Sequence, residues 1–275
     1  NMFRFYKHKK RGTEYNLDKM IHKKINNYNI SQAWLKMYEI IAETKLIKRN
    51  NKVFKSFHLC EAPGSFIDCI NYYLKSNTNN KVFDWHAQSL KPRNFNRKST
   101  QLKKRKGRLQ SKKLGFGDDF GFMKKYKDRW HWGVDDTGDI RNIENIKSYK
   151  QYCDNIDLIT SDCGIPMGEP GYEHISYSSI VAILYLLPIN SNMVFKIILP
   201  IDVPLIYNLF YICYQSFKEF IFLKPIQNHQ SREFYVIGKG FLGVKESIID
   251  ILFMYVKKFD NKVDLFKDKY PQPFV

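Results

Sequence analysis

Hydrophobic positions recur along this chain with two different periods, and these periods predict its helices and strands. Between Ser31 and Ile47 apolar residues recur every three to four positions, which predicts an amphipathic helix with Ser31 as its N-cap. Apolar runs of strand length lie at 53–60, 81–87, 157–162, 193–198, 220–225 and 233–241, and helical patterns lie at 64–75, 172–187, 203–217 and 246–257. This alternation predicts an α/β fold with a mostly parallel, doubly wound sheet and helices on both faces. Because the last two strand runs are close together in the chain, we expect the last strand to be antiparallel.

The chain of 275 residues shows no internal repeat and no clear linker, which indicates a single domain. We assign residues 31–258 to this domain, with a polar and basic insertion at about 91–127. Residues 1–30 are expected to form a basic arm, either poorly ordered or an extension of the sheet edge. Residues 259–275 are expected to form a C-terminal tail.

The net charge of +18 is concentrated in two segments. Residues 1–24 contain eight Lys and Arg against two acidic residues, and residues 91–113 contain eleven against none, so the two segments hold +6 and +11. A nearly neutral domain with two basic segments is typical of a protein that binds a polyanion such as nucleic acid. A solvated charged loop, or a codon bias towards Lys, Asn and Ile, would explain the same charges without a ligand.

The cysteines and the apolar runs indicate an intracellular protein without a membrane segment. Five cysteines are scattered without CxxC spacing, at Cys60, Cys69, Cys153, Cys163 and Cys213, which predicts reduced and mostly buried thiols in a reducing compartment. The histidines do not cluster with them, so no metal site is expected. No apolar run reaches the roughly 18–20 residues of a spanning helix, and the first residues do not form a signal-peptide pattern.

One lysine lies where an apolar side chain is expected. Residues 193–198 read as a strand that is buried on both faces, and Lys196 lies in its middle. Lysine is seldom fully buried unless it is paired or has a chemical role. The alternative is an edge-strand lysine whose amine reaches solvent.

Five further residues lie at positions where a doubly wound sheet binds its ligands or close to them. Gly64 lies in the tight turn after a strand, where a ligand requires close approach of the backbone. Asp139 and Asp162 follow predicted strand ends, Glu233 begins the last strand, and Lys36 lies on the first helix. Taken singly, Gly64 is equally typical of an ordinary tight turn, and the two aspartates of an Asx turn or helix cap. Lys36 alone would be read as an exposed lysine.

Taken together, six sequence blocks resemble the FtsJ-type ribose 2′-O-methyltransferases. The blocks are SQAWLKMYEI, CEAPGSF, TGDIRN, ITSD, VFKII and KPIQNHQSREFYVIGKG, and they span about residues 31–241 in the family's order. Within them, Lys36, Asp162, Lys196 and Glu233 are similar to the family's Lys-Asp-Lys-Glu tetrad. HLCEAPGSFI and WGVDDTGDI are more similar to the cap-specific mRNA branch than to the ribosomal RNA branch.

The resemblance implies a Rossmann-like, seven-stranded methyltransferase fold with an antiparallel last strand, S-adenosylmethionine as cofactor and no metal requirement. It assigns these residues to cofactor binding: Pro63, Gly64, Ser65, Phe66, Gln88, Asp139 and Asp162. The sequence departs from the family at two of these positions. Gly64-Ser65 replaces the usual Gly-Gly, and Gln88 lies nearest to where the family has an acidic residue, which leaves ribose recognition open.

The four tetrad residues are then catalytic, with Lys196 as the general base for the 2′-hydroxyl proton. A lysine acts as a base only in its neutral form, which burial and the nearby cation of Lys36 both favour. Asp162 and Glu233 oppose the neutral form, but they orient the amine. The sequence therefore predicts a catalytic lysine at position 196.

The implied substrate is the 5′ end of capped mRNA, methylated at the first or second transcribed nucleotide. The residues predicted to contact RNA are Lys103, Lys104, Arg105, Lys106 and Arg232. Trp130, Trp132 and Tyr172 are candidates for stacking on the cap guanine, although aromatic residues are more often part of a core. The alternatives are a ribosomal or transfer RNA 2′-O-methyltransferase and a non-catalytic RNA-binding subunit of a capping complex. A capping-enzyme or transcription-machinery partner is implied, and the Lys/Asn/Ile bias suits a large DNA virus of the host cytoplasm.

Overall fold

The computed structural model describes residues 2–6, 25, 30–47, 52–77, 82–92, 118, 121–164, 171–228 and 231–266. The strands are β1 (Met2–Tyr6), β2 (Val53–Leu59), β3 (Val82–Gln88), β4 (Trp130–His131), β5 (Leu158–Ser161), β6 (Asn192–Ile198), β7 (Phe217–Leu223) and β8 (Glu233–Phe241). The α-helices are α1 (Gln32–Thr44), α2 (Ser65–Asn77), α3 (Phe122–Lys125), α4 (Ile143–Ser148), α5 (Tyr172–Leu186), α6 (Pro204–Ser216) and α7 (Glu246–Lys257).

The strands form one mixed sheet in the order β1-β7-β8-β6-β5-β2-β3-β4. Neighbouring strands are parallel except that β8 runs antiparallel to both β6 and β7. The predicted α/β class, the mostly parallel sheet and the antiparallel last strand are therefore confirmed. Strands β2 to β8 are the seven that the resemblance implies, and β1 adds a parallel strand at the edge beside β7. The N-terminal arm thus begins as an edge extension, and residues 7–24 and 26–29 lie outside the described part.

Two hydrophobic cores cover the two faces of the sheet, because successive side chains of a strand point to opposite faces. Strand β6 shows this clearly. Val194 belongs to the core that α1 and α2 form, whereas Phe195 and Ile197 belong to the core that α4, α5, α6 and α7 form. The prediction of a strand buried on both faces is confirmed. Lys196 has the same parity as Val194 and lies on the α1 and α2 face.

The first predicted helix begins as expected and ends early. The Ser31 hydroxyl accepts a hydrogen bond from Trp34 N at 3.1 Å, so Ser31 is the N-cap of α1. The helix ends at Thr44 because Lys45 adopts a left-handed conformation with φ of 51°. The predicted extension to Ile47 was wrong, since apolar periodicity does not register a change of backbone conformation.

The basic insertion ends in ordered structure that its composition did not predict. Helix α3 packs its Met123 in a small core with Trp85 and Trp130, and the Phe122 ring stacks on Trp85 at a centroid distance of 5.6 Å. Residues 121–127 therefore belong to the fold rather than to a loop. The four basic residues predicted to contact RNA, at 103–106, lie outside the described residues.

The C-terminal tail also begins as part of the domain. Phe259 stacks on His174 at a centroid distance of 4.8 Å, and Leu265 N donates a hydrogen bond to Asn208 Oδ1 at 2.6 Å. Residues 259 and 265 are thus packed against α5 and α6.

Two of the five cysteines are not reduced thiols. Cys60 and Cys163 form a disulfide with a Cα–Cα distance of 4.9 Å, whereas Cys69, Cys153 and Cys213 are free and buried. The prediction of five reduced thiols was wrong for this pair because the two residues are 103 positions apart and only the neighbouring ends of β2 and β5 bring them together. None of the described helices combines the length and the apolarity needed to cross a bilayer.

Candidate active site

The four residues predicted as a tetrad meet as two ion pairs. Lys36, from the middle of α1, pairs with Glu233 at the start of β8. Lys196, from β6, lies with its Nζ 3.1 Å from Asp162 Oδ1 and donates a hydrogen bond to the Asp162 carbonyl at 2.8 Å. Both lysines are buried, with exposed fractions of 6% for Lys36 and 9% for Lys196. Buried ammonium groups require such partners, because an unpaired charge in this environment is strongly destabilising.

Strand register brings the two pairs to one face of the sheet. In the antiparallel pair of β6 and β8, Lys196 lies opposite Tyr235 and Ile198 lies opposite Glu233. Because residues two apart share a face, Glu233 and Tyr235 point to the same side as Lys196. The sheet geometry therefore places Lys196 and Glu233, one residue of each pair, on the same face of the sheet.

Tyr235 contacts the pair of Lys196 and Asp162, and sequence reasoning missed it. Its hydroxyl donates a hydrogen bond to Asp162 Oδ1 at 3.1 Å. Burial raises the pKa of Tyr235 well above its usual value, and the carboxylates of Asp162 and Glu233 raise it further, so the hydroxyl remains a donor. The signal that could have found it is its position two residues after Glu233 on the same strand.

Gly164 makes room for the amine of Lys196 and was also missed. A Cβ atom at Gly164 would lie 2.7 Å from Lys196 Nζ. The glycine follows Asp162 by two residues in the sequence SDCG. Any side chain there would displace the amine from Asp162.

A third lysine fixes the start of β8. Lys224 Nζ donates hydrogen bonds to the carbonyl of Glu233 at 2.7 Å and to the carbonyl of Ser231. Burial lowers the pKa of Lys224, and the nearby ammonium of Lys36 lowers it further, while Glu233 opposes the shift. Lys224 belongs to the KP…SRE block, and its contacts hold the backbone from which Glu233 projects.

A cavity of about 310 Å³ opens beside Asp162 at the carboxyl end of β2 and β5. It is lined by Ser31, Gln32, Ala33, Glu61, Ala62, Pro63, Ser65, Phe66 and Asp162. Four of the residues predicted to bind the cofactor thus lie around one cavity, and Gly64 lies in the same turn. This is the edge of a doubly wound sheet at which ligands bind.

Gly64 occupies a position that excludes a side chain. Its φ is +111°, and a Cβ atom there would lie 2.5 Å from the Phe122 ring. Its N–H donates to the Glu61 carbonyl at 2.7 Å, which closes the turn before α2. The structure therefore explains the glycine by backbone conformation and by close packing against α3.

Glu61 is a second residue of this turn that sequence reasoning left without a role. Its Oε1 accepts hydrogen bonds from Phe66 N at 2.7 Å and from Ile67 N at 3.2 Å, so it caps the first turn of α2. Burial raises the pKa of Glu61 well above its usual value, and the hydrogen bonds from Ile67 and Phe66 oppose that rise. Glu61 thus joins the glycine turn to the start of α2 and lines the cavity.

Gln88 has a different task from the predicted ribose contact. Its side chain is fully buried. Its Oε1 accepts a hydrogen bond from Cys60 N at 3.1 Å, and its Nε2 donates to the Gly138 carbonyl at 2.5 Å. Both ends of the amide are therefore bound to backbone, and Gln88 joins the loop after β2 to the loop after β4.

Asp139 lies in the loop after β4 and does not line the cavity. Arg141 N donates a hydrogen bond to Asp139 Oδ1 at 2.9 Å, which forms the Asx turn that the sequence analysis kept as an alternative. Arg141 Nη2 donates a second hydrogen bond to Asp139 Oδ2 at 2.7 Å. Burial acts to raise the pKa of Asp139, but the hydrogen bonds from Arg141 outweigh it and the pKa is lowered. The loop packs tightly on the end of β3, since a Cβ atom at Gly138 would lie 1.9 Å from the Ser89 carbonyl oxygen.

The residues predicted to contact RNA and the cap are only partly arranged for that role. Arg232 is exposed and precedes Glu233, and its carbonyl accepts a hydrogen bond from Leu199 N at 2.9 Å. Trp130 and Tyr172 are buried, and the Tyr172 hydroxyl accepts from Ile198 N at 2.7 Å, so both belong to the core. Trp132 is partly exposed, with Lys91 Nζ 5.9 Å from its ring centroid. No group of three or more potential metal ligands occurs among the described residues.

Comparison with known proteins gives one family match and several relatives. Residues 30–241 match the model of the FtsJ-like methyltransferase family. An uncharacterized protein of Acanthamoeba polyphaga mimivirus is 33% identical over 87% of this chain and 29% of its own length. The cap-specific mRNA (nucleoside-2′-O-)-methyltransferase 2 of Mus musculus is 27% identical over 88% of this chain and 31% of its own length.

A viral relative that is named as a "Probable methyltransferase", from African swine fever virus, is 26% identical over 82% of this chain and 52% of its own length. The chain therefore spans between about a third and a half of the length of these relatives.

Proposed function

Because the chain belongs to the FtsJ-like methyltransferase family, we propose that it transfers the methyl group of S-adenosylmethionine to a ribose 2′-hydroxyl at the 5′ end of capped mRNA. Methyl transfer and the methyl donor follow from the family. The ribose hydroxyl, the capped RNA and the roles of individual residues are the proposal. The observation that carries it is the pair of buried ion pairs, Lys36 with Glu233 and Lys196 with Asp162, beside the cavity of the glycine turn.

Lys196 is the general base in this proposal. Its Nζ takes the 2′-hydroxyl proton as the oxygen attacks, and the resulting ammonium is stabilised by the carboxylate and the carbonyl of Asp162. Tyr235 holds Asp162 in place through its hydroxyl, and Gly164 leaves the amine unobstructed. S-adenosylmethionine supplies the methyl group on a positively charged sulfur.

The other ion pair contributes position and charge. Glu233 holds Lys36, so the ammonium of Lys36 stays at a defined place on the same face of the sheet as Lys196. Pro63, Gly64, Ser65, Phe66 and Asp162 hold the cofactor in this proposal, with Asp139 at the farther loop.

Capped mRNA is supported by two further observations. Relatives over most of this chain carry the name cap-specific mRNA (nucleoside-2′-O-)-methyltransferase 2. Residues 91–113, with eleven Lys and Arg and no acidic residue, provide charge for an RNA strand. Methylation of ribosomal or transfer RNA is the alternative within the same chemistry, and a non-catalytic RNA-binding subunit of a capping complex is the alternative outside it.

The test is a single-turnover assay with radiolabelled methyl donor on three RNAs: capped RNA, capped RNA already methylated at the first ribose, and uncapped RNA. Nucleoside analysis then identifies the methylated position. We expect 2′-O-methylation only on capped RNA. Equal transfer to uncapped RNA would favour the ribosomal or transfer RNA alternative, and no transfer to any RNA would favour the non-catalytic one.

The base is tested by Lys196→Ala, which should reduce the single-turnover rate by about 10²–10⁴-fold, as loss of general acid–base catalysis does. Affinity for S-adenosylhomocysteine and the urea unfolding midpoint show whether the variant still folds and binds cofactor. Lys239→Ala is the matched control, since Lys239 is also an ion-paired lysine of the sheet, 3.1 Å from Glu219. A Lys196→Ala variant with the parental rate would remove Lys196 from the mechanism.

A further inference from the structure

The disulfide between Cys60 and Cys163 joins the two chain segments that meet at the candidate active site. Cys60 directly follows β2 and precedes the glycine turn, whose residues 61–63 line the cavity. Cys163 directly follows Asp162, which lines the same cavity and pairs with Lys196. A covalent bond therefore links the turn that borders the cavity to the segment that carries Asp162.

The backbone of Cys60 adopts a conformation that a side chain disfavours. Its φ is 55°, in the left-handed region. The Cys60 N–H donates a hydrogen bond to Gln88 Oε1 at 3.1 Å, and Asp162 N donates to the Leu59 carbonyl at 3.3 Å. The disulfide adds a covalent restraint to these hydrogen bonds. Breaking it leaves the conformation of Cys60 less restrained, and the glycine turn follows directly in the chain.

The two sulfurs of the disulfide differ in their access to solvent. Cys60 is partly exposed, whereas Cys163 is 2% exposed. Attack by a thiolate from solution is therefore favoured at Cys60, with Cys163 as the leaving group. The Ser179 hydroxyl of α5 lies 2.9 Å from Cys163 Sγ and 2.6 Å from the Ile175 carbonyl, and its one proton can be donated to either. Donation to the sulfur stabilises the departing thiolate.

The other three cysteines do not share this reactivity. Cys69, Cys153 and Cys213 are free, and each is at most 1% exposed. Burial raises the pKa of all three thiols, so they hold little of the thiolate that reacts with disulfides and oxidants. All five cysteines lie among the described residues. A response of this chain to thiol redox conditions is therefore confined to the pair of Cys60 and Cys163.

We propose that Cys60 and Cys163 form a reversible dithiol–disulfide site that sets the affinity of the candidate active site for the methyl donor, with the disulfide as the high-affinity form. The disulfide holds the glycine turn against the segment of Asp162, and reduction lets the turn relax away from it. This inference rests on the methyl-donor part of the proposed function and adds a redox modification site to it.

The reductant in this reaction is a dithiol, which supplies two electrons. One of its thiolates attacks Cys60 Sγ and forms a mixed disulfide, while the bond to Cys163 breaks and Cys163 leaves as a thiolate. The second thiolate of the reductant attacks the reductant sulfur of the mixed disulfide, which releases Cys60 as a thiolate and closes the disulfide of the reductant. The two cysteine thiolates take up the protons that the two reductant thiols lost. The reverse steps restore the disulfide of the protein.

The first test measures affinity for S-adenosylhomocysteine by calorimetry, without RNA, before and after reduction with dithiothreitol. Reduction should weaken binding about 10-fold, a usual size for the coupling between two sites, and reoxidation should restore it. Alkylation followed by mass spectrometry reports the redox state. Urea unfolding verifies that the reduced protein is folded under the conditions of the binding experiment.

Two variants locate the response. The double variant Cys60→Ser, Cys163→Ser should bind S-adenosylhomocysteine like the reduced protein, with and without reductant. Cys213→Ala is the matched control, since it removes a cysteine that is free and buried, and it should keep the full redox response.

The second test uses the reciprocity of coupled equilibria. If the disulfide strengthens ligand binding, the bound ligand must stabilise the disulfide by the same factor. In a titration with mixtures of reduced and oxidised dithiothreitol, saturating S-adenosylhomocysteine should lower the midpoint potential by about 30 mV for each tenfold difference in affinity. A disulfide that only stabilises the fold would show no such shift.

Equal affinity in the two redox states, or a midpoint potential that does not respond to the ligand, would overturn the proposal. A redox response that persists in the double variant would overturn it too. A protein whose affinity falls on reduction but which methylates no capped RNA would support the redox site and contradict the cap assignment. A protein that methylates capped RNA and binds S-adenosylhomocysteine equally in both states would support the cap assignment and overturn the redox site.

Discussion

The two loops that the sequence assigned to the cofactor, residues 60–64 after β2 and residues 132–142 after β4, are built in opposite ways. In the β2 loop the buried Glu61 lines a cavity, and one oxygen of its carboxyl group accepts hydrogen bonds from the first turn of α2. In the β4 loop Asp135 and Asp139 are satisfied locally, Asp135 by Thr137 and Asn145 and Asp139 by Arg141. The first loop therefore lines the cavity directly, whereas the carboxylates of the second loop are occupied by residues of their own loop and of α4.

This contrast implies that the β2 loop and the β4 loop contribute differently to cofactor affinity. A preorganised acceptor in a buried site contributes its full interaction on binding, whereas an exchanged acceptor contributes only the difference between two partners. We therefore expect the β2 loop to dominate cofactor affinity. The following four predictions can break or sharpen this comparison, and they run from the largest expected effect to the smallest.

The largest effect is expected for Gly64→Ala in the β2 loop. Its φ of +111° and the 2.5 Å approach to Phe122 force either the backbone or α3 to move. We expect affinity for S-adenosylhomocysteine, measured by calorimetry, to fall on the order of 100-fold. Gly121→Ala is the control, because Gly121 also has positive φ, +69°, but nothing lies within 4 Å of its Cβ position. Equal losses in both variants would show that backbone strain alone, and not the close packing of this loop, decides binding.

The second prediction concerns the disulfide that ties the β2 loop to the strand of Asp162. Cys60 and Cys163 close a span of 103 residues. The double variant Cys60→Ser, Cys163→Ser should lower the free energy of unfolding by about 2–5 kcal/mol, the usual range for loss of a native disulfide. Urea unfolding with and without reductant measures it. Reductant should shift the parental protein and leave the double variant unaffected, and a parental midpoint that ignores reductant would show that the link does not stabilise the loop.

The third prediction uses His58, which lies in β2 directly below this loop. Burial lowers the pKa of His58 to about 3, from an ordinary value of 6.5. The unfolded chain binds a proton below pH 6.5 while the folded chain does not, so stability falls as pH falls from 6.5 towards 3, by about 1.4 kcal/mol per unit for this group.

Urea unfolding at a series of pH values compares the parental protein with His58→Gln. The variant should show a shallower loss below pH 6.5, and both proteins should behave alike between pH 7 and 8. Identical acid slopes in the two proteins would contradict a neutral, buried imidazole under the β2 loop.

The smallest effect is expected in the β4 loop. Asp139→Asn should weaken S-adenosylhomocysteine less than about 10-fold, because the parental carboxylate must first leave Arg141. Arg141→Ala sharpens the test, since it frees Asp139 and should not weaken binding through that carboxylate. A 100-fold loss in Asp139→Asn, as large as that expected at Gly64, would show that the two loops contribute equally and would break the comparison.

Much of the sheet could be predicted because strand and helix periods are local properties. The run of β6 and the N-cap of α1 were visible in a few adjacent residues, and the structure confirms both. Strand β4 was expected only as a strand end before Asp139 and without bounds, since two residues are too few to show any period. The same holds for α3, where four residues inside a basic segment fold only because Trp85 and Trp130 receive Met123.

The candidate site divides in a similar way. Lys36, Asp162, Lys196 and Glu233 were recognised from their own neighbours in the sequence, and the structure pairs them. Tyr235 and Gly164 were missed because their importance comes from side chains far away in the chain, Asp162 and Lys196. Gln88 was assigned to cofactor binding by the resemblance, with ribose recognition left open, and in the structure its amide is used by the backbone of two loops.

By itself the sequence determined the α/β class, the order of the elements and the residue types at the ends of the strands, because hydrophobic period and turn chemistry act over a few residues. Only the tertiary structure decided which of these residues meet. Strand register set Lys196 opposite Tyr235, and the neighbouring ends of β2 and β5 joined Cys60 to Cys163. Packing brought the start of α1, the glycine turn and Asp162 around one cavity, and that outcome depends on the distances between segments that no local pattern encodes.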